Sequence, residues 1–131
     1  MEQFKLRIIT PDRVFYEGDI DMVEFNTTEG EIGVLPGHIP MTVFIKPGIL
    51  KITEAEEVKE AALHAGFVEI LPEGVTILAE IIEWPFEIDL ERAEAARERA
   101  ENRIRIHTSE TDIARAETAL QRAIARISVI K

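Results

Sequence analysis

The sequence predicts an α+β fold in two parts: an antiparallel β-sandwich over residues 1–85, then an antiparallel two-helix hairpin over residues 86–131. Three observations predict it. All 7 glycines and all 6 prolines lie at or before Pro85, so the last part lacks the residues that most reliably break a helix. Before Pro85, short apolar runs alternate with turns that contain Gly and Pro. After it, apolar residues recur at spacings of three and four, as on one helix face.

The strands are predicted from alternation and from turn residues. In the first run, Phe4, Leu6 and Ile8 alternate with Lys5 and Arg7, as in a strand with one buried face. Many short strands at near-regular spacing indicate an antiparallel sandwich or barrel. The further runs cover residues 14–16, 20–25, 41–45, 49–52, 61–64, 67–71 and 75–79.

The loop over residues 29–40 has an unusual composition for a surface turn. It places three glycines and two prolines around the apolar segment Ile32-Gly33-Val34-Leu35, whereas solvent loops are normally more polar. One interpretation is a tight connection whose apolar residues fold inward. The other is a rigid surface loop that contacts a partner, because exposed apolar residues on loops mark interfaces. Composition leaves both open.

The hairpin is predicted to begin at Asp89, a good N-cap residue, and to turn within the polar segment 107–112, where Thr111 or Asp112 can cap the second helix. Two helices joined by a short turn pack antiparallel. Their predicted seam is mostly alanine, and it runs through Ala93, Ala96, Ala100, Ile104, Ile113, Ala116, Leu120, Ala123 and Ile127.

An alanine seam has an energetic consequence. One buried methyl group contributes about 0.8 kcal/mol, against roughly 1.5–3 kcal/mol for a buried Leu or Ile side chain. Helices of this length are also marginal alone in water. We expect the folded hairpin to lie close to balance with opened forms, as a conformational switch requires. A merely mobile tail has the same composition.

Four arginines of the hairpin have no acidic residue three or four positions away, namely Arg99, Arg103, Arg122 and Arg126. With a turn near Ser109, an antiparallel hairpin brings Arg92 level with Arg126. It likewise brings Arg99 close to the level of Arg122. Four guanidinium groups then face one site with little negative charge between them, and guanidinium forks suit phosphate. The alternative is a solvated basic face.

Charge and composition exclude several classes of function. The formal net charge is −10, and residues 1–85 hold 16 Asp and Glu against 6 Lys and Arg, which disfavours nucleic acid as a partner. There is no cysteine, and the three histidines, His38, His64 and His107, are scattered. We therefore predict no catalytic residue, no metal site and no catalytic cofactor. No window approaches the roughly 18 apolar residues that span a bilayer, and residues 1–5 do not resemble a signal peptide, which predicts a soluble cytoplasmic protein.

Four motifs in order along the chain carry a family resemblance: TPD at 10–12, YEG at 16–18, GEIGVLPGHIP at 30–40 and IDLERA at 88–93. Together they resemble the epsilon subunit of the bacterial rotary F-type ATP synthase. The resemblance implies a sandwich of about ten strands followed by a helical hairpin, in a non-catalytic subunit of the rotor stalk. It also implies a peripheral position on the cytoplasmic face of the cell membrane, reached only through the complex.

The resemblance further implies partners and a switch. The sandwich would bind the gamma subunit and rest on the c-ring. The hairpin, when extended towards the alpha and beta catalytic subunits, would inhibit ATP hydrolysis, and when folded would permit it. The loop residues implied at the interface with the ring are Glu31, Ile32, Gly33, Val34, Leu35 and His38.

In some bacterial members of the family the folded hairpin binds ATP as a regulatory ligand, through a motif that is complete here at residues 88–93. By resemblance, Ile88 and Ala93 would flank adenine, Glu83 and Asp89 would contact the nucleoside, and the arginines would meet the phosphates. The implied ATP-binding residues are Glu83, Ile88, Asp89, Arg92, Ala93, Arg99, Arg122 and Arg126. The alternative is a structural rotor subunit with no nucleotide binding. An enzyme is disfavoured, because the sequence has no glycine-rich phosphate loop and no nucleophile with a base.

Overall fold

The computed structural model describes residues 2–106 and 109–131, and it has the two parts in the predicted order. The predicted turn residue His107 lies outside the described residues. A short 3-10 turn, Pro85–Glu87, separates the strands from the helices. The strands are β1 (Phe4–Ile9), β2 (Val14–Ile20), β3 (Met22–Thr27), β4 (Gly30–Val34), β5 (Met41–Phe44), β6 (Gly48–Glu54), β7 (Glu57–Leu71) and β8 (Gly74–Glu83), and the helices are α1 (Leu90–Ile106) and α2 (Glu110–Ile130).

The predicted fold class is confirmed, but the described residues form eight strands rather than about ten. Runs 61–64 and 67–71 belong to a single strand, β7, which continues through a bulge at Ala65 and Gly66. Gly66 has a φ of +137°, and a Cβ there would lie 2.0 Å from the carbonyl oxygen of Leu78. Only glycine permits so close an approach, so this residue bends the strand instead of ending it.

The strands follow the order β2-β1-β8-β7-β6-β3-β4, and β5 pairs with the last part of β7. Every pair is antiparallel except β1 with β8, which is parallel. β7 changes its neighbour along its length: residues 57–63 pair with β6 and residues 67–70 pair with β5. The strands therefore wrap around one core. Its most deeply buried apolar side chains include Phe25, Leu6, Ile8, Ile20, Leu50, Ile52, Leu63, Ile70 and Ile77.

The two helices pack against each other through small side chains, and α2 also contacts β6 and β7. Most of the predicted seam residues are buried, including Ala93, Ala100, Ala116, Ala123 and Ile127. Among the described residues, neither helix is both long enough and apolar enough to cross a bilayer.

Side-chain caps fix both helix starts. Asp89 caps α1 as predicted, because its Oδ1 accepts from the backbone N–H of Arg92 at 3.2 Å. The predicted cap of α2 is wrong, since Ser109 takes that position and its hydroxyl accepts from the N–H of Asp112 at 3.2 Å. Serine at N-cap with acidic residues in the first turn suits the positive end of the helix dipole.

Candidate functional site

A polar cluster lies where α2 meets the sheet. Glu83, at the end of β8, accepts two hydrogen bonds on the same oxygen, Oε1. His64 Nε2 donates to it at 3.0 Å, and Arg126 Nε donates to it at 2.6 Å. His64 is contributed by β7, and Arg126 by α2. This carboxylate oxygen therefore links two neighbouring strands to the second helix.

The pKa values indicate which members of the cluster are charged. The hydrogen bond from His64, together with the hydrogen bond and charge of Arg126, lowers the pKa of Glu83 to about 2. Burial lowers the pKa of His64, and the charges of Arg126 and Arg122 lower it further, against the opposing effect of Glu83. His64 is therefore neutral near pH 7. Its contact with Glu83 is a hydrogen bond, whereas Glu83 and Arg126 form an ion pair.

Among the described residues, two buried nitrogen atoms at this interface have no hydrogen-bond partner, namely Nε of Arg122 and Nδ1 of His64. An unsatisfied buried polar atom costs about 1–3 kcal/mol. The ion pair of Glu83 with Arg126 leaves the charge of Arg122 without a counterion in the cluster. Chemically, this arrangement suits an anion that can accept hydrogen bonds from α2.

The other predicted nucleotide residues are distributed around the start of α1. Ile88 is half-buried, whereas Asp89 is exposed and uses its side chain as the helix cap. Ala93 is buried in the seam, with 3% of its surface exposed. Arg92 and Arg99 are exposed, and among the described residues their guanidinium groups form no hydrogen bond or ion pair. The structure thus joins Glu83 to Arg126 of α2 and places Arg122 near enough for its charge to act on His64. Among the described residues it shows no contact between this group and Arg92 or Arg99 of α1.

His64 is the member of the cluster that sequence reasoning missed. It is almost fully buried, with 1% of its surface exposed, but it lies outside the hydrophobic core cluster. The neighbouring residues Ala61 and Leu63 belong to that cluster, whereas Ala62 and His64 are buried on the opposite face. The consecutive apolar residues Ala61, Ala62 and Leu63 break the alternation of a strand with one buried face. This run was the sequence signal that a second element covers the other face of β7.

The glycine-proline loop is divided between the core and the surface. Val34 is buried and Ile32 packs against the core, whereas Leu35 and Ile39 are 57% and 74% exposed. Glu31 and Gly33 are also exposed. His38 holds the loop against the end of β7, since its ring nitrogens contact the carbonyl oxygens of Leu35 at 2.8 Å and Leu71 at 2.5 Å. The inward-folding interpretation therefore holds for Ile32 and Val34, whereas contact of the exposed part with a partner stays a prediction.

A row of apolar side chains crosses the outer face of the sheet. Phe44 pairs with Phe67, Phe67 with Leu78, Leu78 with Ile9, and Ile9 with Val14. Phe44 is 66% exposed, Val14 50% and Leu78 37%. We call these five residues the outer apolar row. A contiguous exposed apolar surface of this kind is typical of a protein interface.

No group of three or more metal-ligating side chains occurs among the described residues. The hydrogen-bonded members of the polar cluster are His64, Glu83 and Arg126.

Comparisons with known proteins match the whole length of the chain. A family model described as "ATP synthase, Delta/Epsilon chain, beta-sandwich domain" matches residues 3–85, and one described as "ATP synthase, Delta/Epsilon chain, long alpha-helix domain" matches residues 87–131. The chain is 47% identical over 132 residues to the ATP synthase epsilon chain of Brevibacillus brevis, covering 100% of both. It is 45% identical over 112 residues to that of Bacillus subtilis, covering 86% of this chain and 85% of the relative.

Two solved structures share the fold. A chain of the Euglena gracilis mitochondrial ATP synthase, in a structure of OSCP, F1 and c-ring, superposes with a TM-score of 0.86 at 23% identity, covering 98% of this chain and 82% of that one. A chain of the Tetrahymena thermophila enzyme, in a structure of central stalk and c-ring, gives 0.70 at 15% identity, covering 99% and 98%. At these identities the similarity concerns the fold alone.

Proposed function

This chain belongs to the delta/epsilon family of ATP synthase subunits and is similar over its full length to epsilon chains; we propose that its C-terminal helices regulate ATP hydrolysis by the complex. As a member of this family, the chain would serve as a non-catalytic epsilon subunit in the central stalk of an F-type ATP synthase. The proposal concerns what its two parts bind and how the hairpin responds to nucleotide.

The sandwich supplies two surfaces for partners in the rotor. The exposed apolar tip of the glycine-proline loop, with Leu35 and Ile39, would rest on the c-ring, at the cytoplasmic face of the membrane. The outer apolar row would contact the gamma subunit, because burial of its exposed aromatic and aliphatic groups stabilises a permanent contact. These two surfaces keep the sandwich in place while the helices move.

The helices would have two positions. In the docked position α2 packs on β6 and β7 as in this structure. In the extended position the hairpin would reach the alpha and beta subunits and inhibit hydrolysis. Separating the two helices would cost little at their alanine seam, since each buried methyl contributes only about 0.8 kcal/mol.

ATP would hold the docked position. The observation that carries this proposal is the buried Nε of Arg122, which finds no hydrogen-bond partner in the part of the chain that the structure describes, whereas the neighbouring Arg126 is paired with Glu83. A phosphate group would give Arg122 an acceptor and balance its charge. A ligand that binds only the docked form stabilises it by about 2.7 kcal/mol at 100 times its dissociation constant, enough to displace a nearly balanced equilibrium.

One observation favours a second candidate, a structural rotor subunit that binds no nucleotide. Glu83 and Asp89 already have partners inside the protein, an ion pair for the first and a helix cap for the second. Contacts between these groups and ATP would have to replace or share these bonds. The two candidates differ only in the response of the isolated chain to ATP.

Thermal unfolding of the full chain with and without ATP tests the proposal. We expect ATP to raise the Tm of the parent, and Arg122→Ala and Arg126→Ala to abolish most of that rise. Arg103→Ala is the matched control, because Arg103 is an exposed arginine of α1 outside the polar cluster, and it should leave the rise unchanged. No ATP response in the parent, or an unchanged response in both α2 variants, establishes the structural candidate instead.

A further inference from the structure

His64 lies beneath the docked helix, at the point where α2 covers the sheet. Its side chain is buried, with Nε2 hydrogen-bonded to Glu83 and with no partner for Nδ1 within residues 2–106 and 109–131. The ionisable groups that face it are Glu83 from β8 and Arg122 and Arg126 from α2. On the neighbouring strand β6, the residues that pair beside this part of β7 are Gly48 and Ile49, and neither of them ionises.

Two arrangements of α2 give His64 different affinities for a proton. With α2 docked, burial and the charges of Arg126 and Arg122 lower the pKa of His64. With α2 away from the sheet, the burial and both positive charges are removed, so the pKa returns towards the ordinary value of about 6.5. The undocked form therefore binds a proton more readily than the docked form.

The sign of the linkage follows from that difference. The form that binds more protons gains population as the pH falls. Docking is fully favoured above the undocked pKa of about 6.5, and it weakens as the pH falls below that value towards the lower docked pKa. Glu83 does not contribute in this range, because its pKa of about 2 keeps it ionised.

We propose that His64 makes hairpin docking sensitive to pH, so that acidification releases α2 from the sheet. Protonation would place a third positive charge beside Arg122 and Arg126, where Glu83 is the facing carboxylate among the described residues. In the complex, a fall in pH would thus act in the same direction as a fall in ATP. The inference rests on the proposed function in one respect: the hairpin must be able to leave the sheet.

A distance measurement on the full chain tests this proposal. The sequence has no cysteine, so Glu56→Cys and Glu117→Cys, both at exposed positions, allow one spin label on the sandwich and one on α2. His38→Gln and His107→Gln are included in this reference chain, so that His64 is its only histidine. We expect a longer-distance population to grow as the pH falls from about 7.5 to about 5.5, by at most about tenfold per pH unit for one proton.

His64→Gln is the decisive variant, because glutamine can still donate to Glu83 but does not titrate. We expect its distance distribution to stay constant over the same pH range. Growth of the longer population to the same extent in His64→Gln and in the reference chain would overturn the proposal, as would a constant distribution in the reference chain. The ATP response in thermal unfolding is a separate result. If ATP still raises the Tm but the label distance does not depend on pH, the proposed role of His64 is wrong and the proposed function stands.

An NMR titration of the reference chain tests the proposal even if the His64→Gln variant fails to dock at any pH. In the reference chain, the imidazole Cε1–H signal belongs to His64 alone. We expect it to report a neutral ring while the labels are close and a protonated ring only as they separate. Protonation of His64 with no change in the label distance contradicts the proposal.

Discussion

The β-sandwich and the helical hairpin bury different kinds of side chain. The sandwich core is built from large groups such as Phe25, Leu6 and Ile8, each at most 1% exposed. The seam of the hairpin is built from alanines such as Ala100 and Ala123, which are 2% and 0% exposed. Equal burial therefore hides a difference of roughly two- to fourfold in the free energy that each residue contributes.

The contact between the two regions adds a second difference. Where α2 meets the sheet, small apolar residues such as Ala62 and Ala125 lie beside the charged and polar groups of His64, Glu83 and Arg126. An apolar core depends little on ligands or protons, whereas a polar cluster depends on both. The comparison teaches that docking of the hairpin can change under conditions that leave the sandwich folded.

The largest effect is expected from Phe25→Ala in the sandwich. Removing a fully buried aromatic ring should lower the free energy of unfolding by about 3–5 kcal/mol, because of the lost burial and the remaining cavity. Urea unfolding followed by the β-sheet signal measures it. Phe86→Ala is the matched control, since Phe86 is 84% exposed and should change stability by less than about 0.5 kcal/mol. Similar losses in the free energy of unfolding for both variants would show that burial of large side chains does not stabilise the sandwich.

Much of the fold could be predicted because local sequence determines it. The absence of Gly and Pro after Pro85 predicts the helices, and alternation in residues 4–8 predicts the first strand, which β1 confirms. The course of β7 could not be predicted, because Gly66 looks like a turn in sequence. Its role depends on the backbone of Leu78, which approaches it from β8. A bulge of this kind is visible only when the partner strand is known.

A smaller effect is expected from Ala123→Gly in the seam of the hairpin. It removes one buried methyl, worth about 0.8 kcal/mol, and it adds the helix cost of glycine, about 0.8–1.0 kcal/mol. Ala119→Gly is the matched control, because Ala119 is exposed in the same helix and carries only the second cost. Hydrogen exchange of the α1 and α2 amides should show protection lowered about twentyfold by the first and about fivefold by the second. Equal losses would show that the seam methyl contributes nothing.

The candidate site was predictable in part, for the same reason of locality. Arg122 and Arg126 could be singled out because no acidic residue lies one turn away along the helix. Glu83 entered only through a family resemblance, and His64 was set aside as one of three scattered histidines. The contact between those two residues joins positions 19 apart in the chain, and Arg126 reaches Glu83 across 43 positions. Sequence spacing shows a missing local partner, but it does not show which distant strand supplies one.

The smallest effect is expected from Ser109→Ala at the start of α2. Its hydroxyl caps the helix by accepting from the N–H of Asp112, and loss of such a cap costs typically about 1 kcal/mol. Ser109→Asn should retain the cap and the stability, because asparagine serves equally well at that position. We expect exchange of the helix amides to accelerate about fivefold in Ser109→Ala, with the strand amides of β7 unchanged. If the strand amides accelerate by the same factor, the hairpin and the sandwich open as one cooperative unit, and hairpin docking could not respond to ATP or pH while the sandwich stays folded.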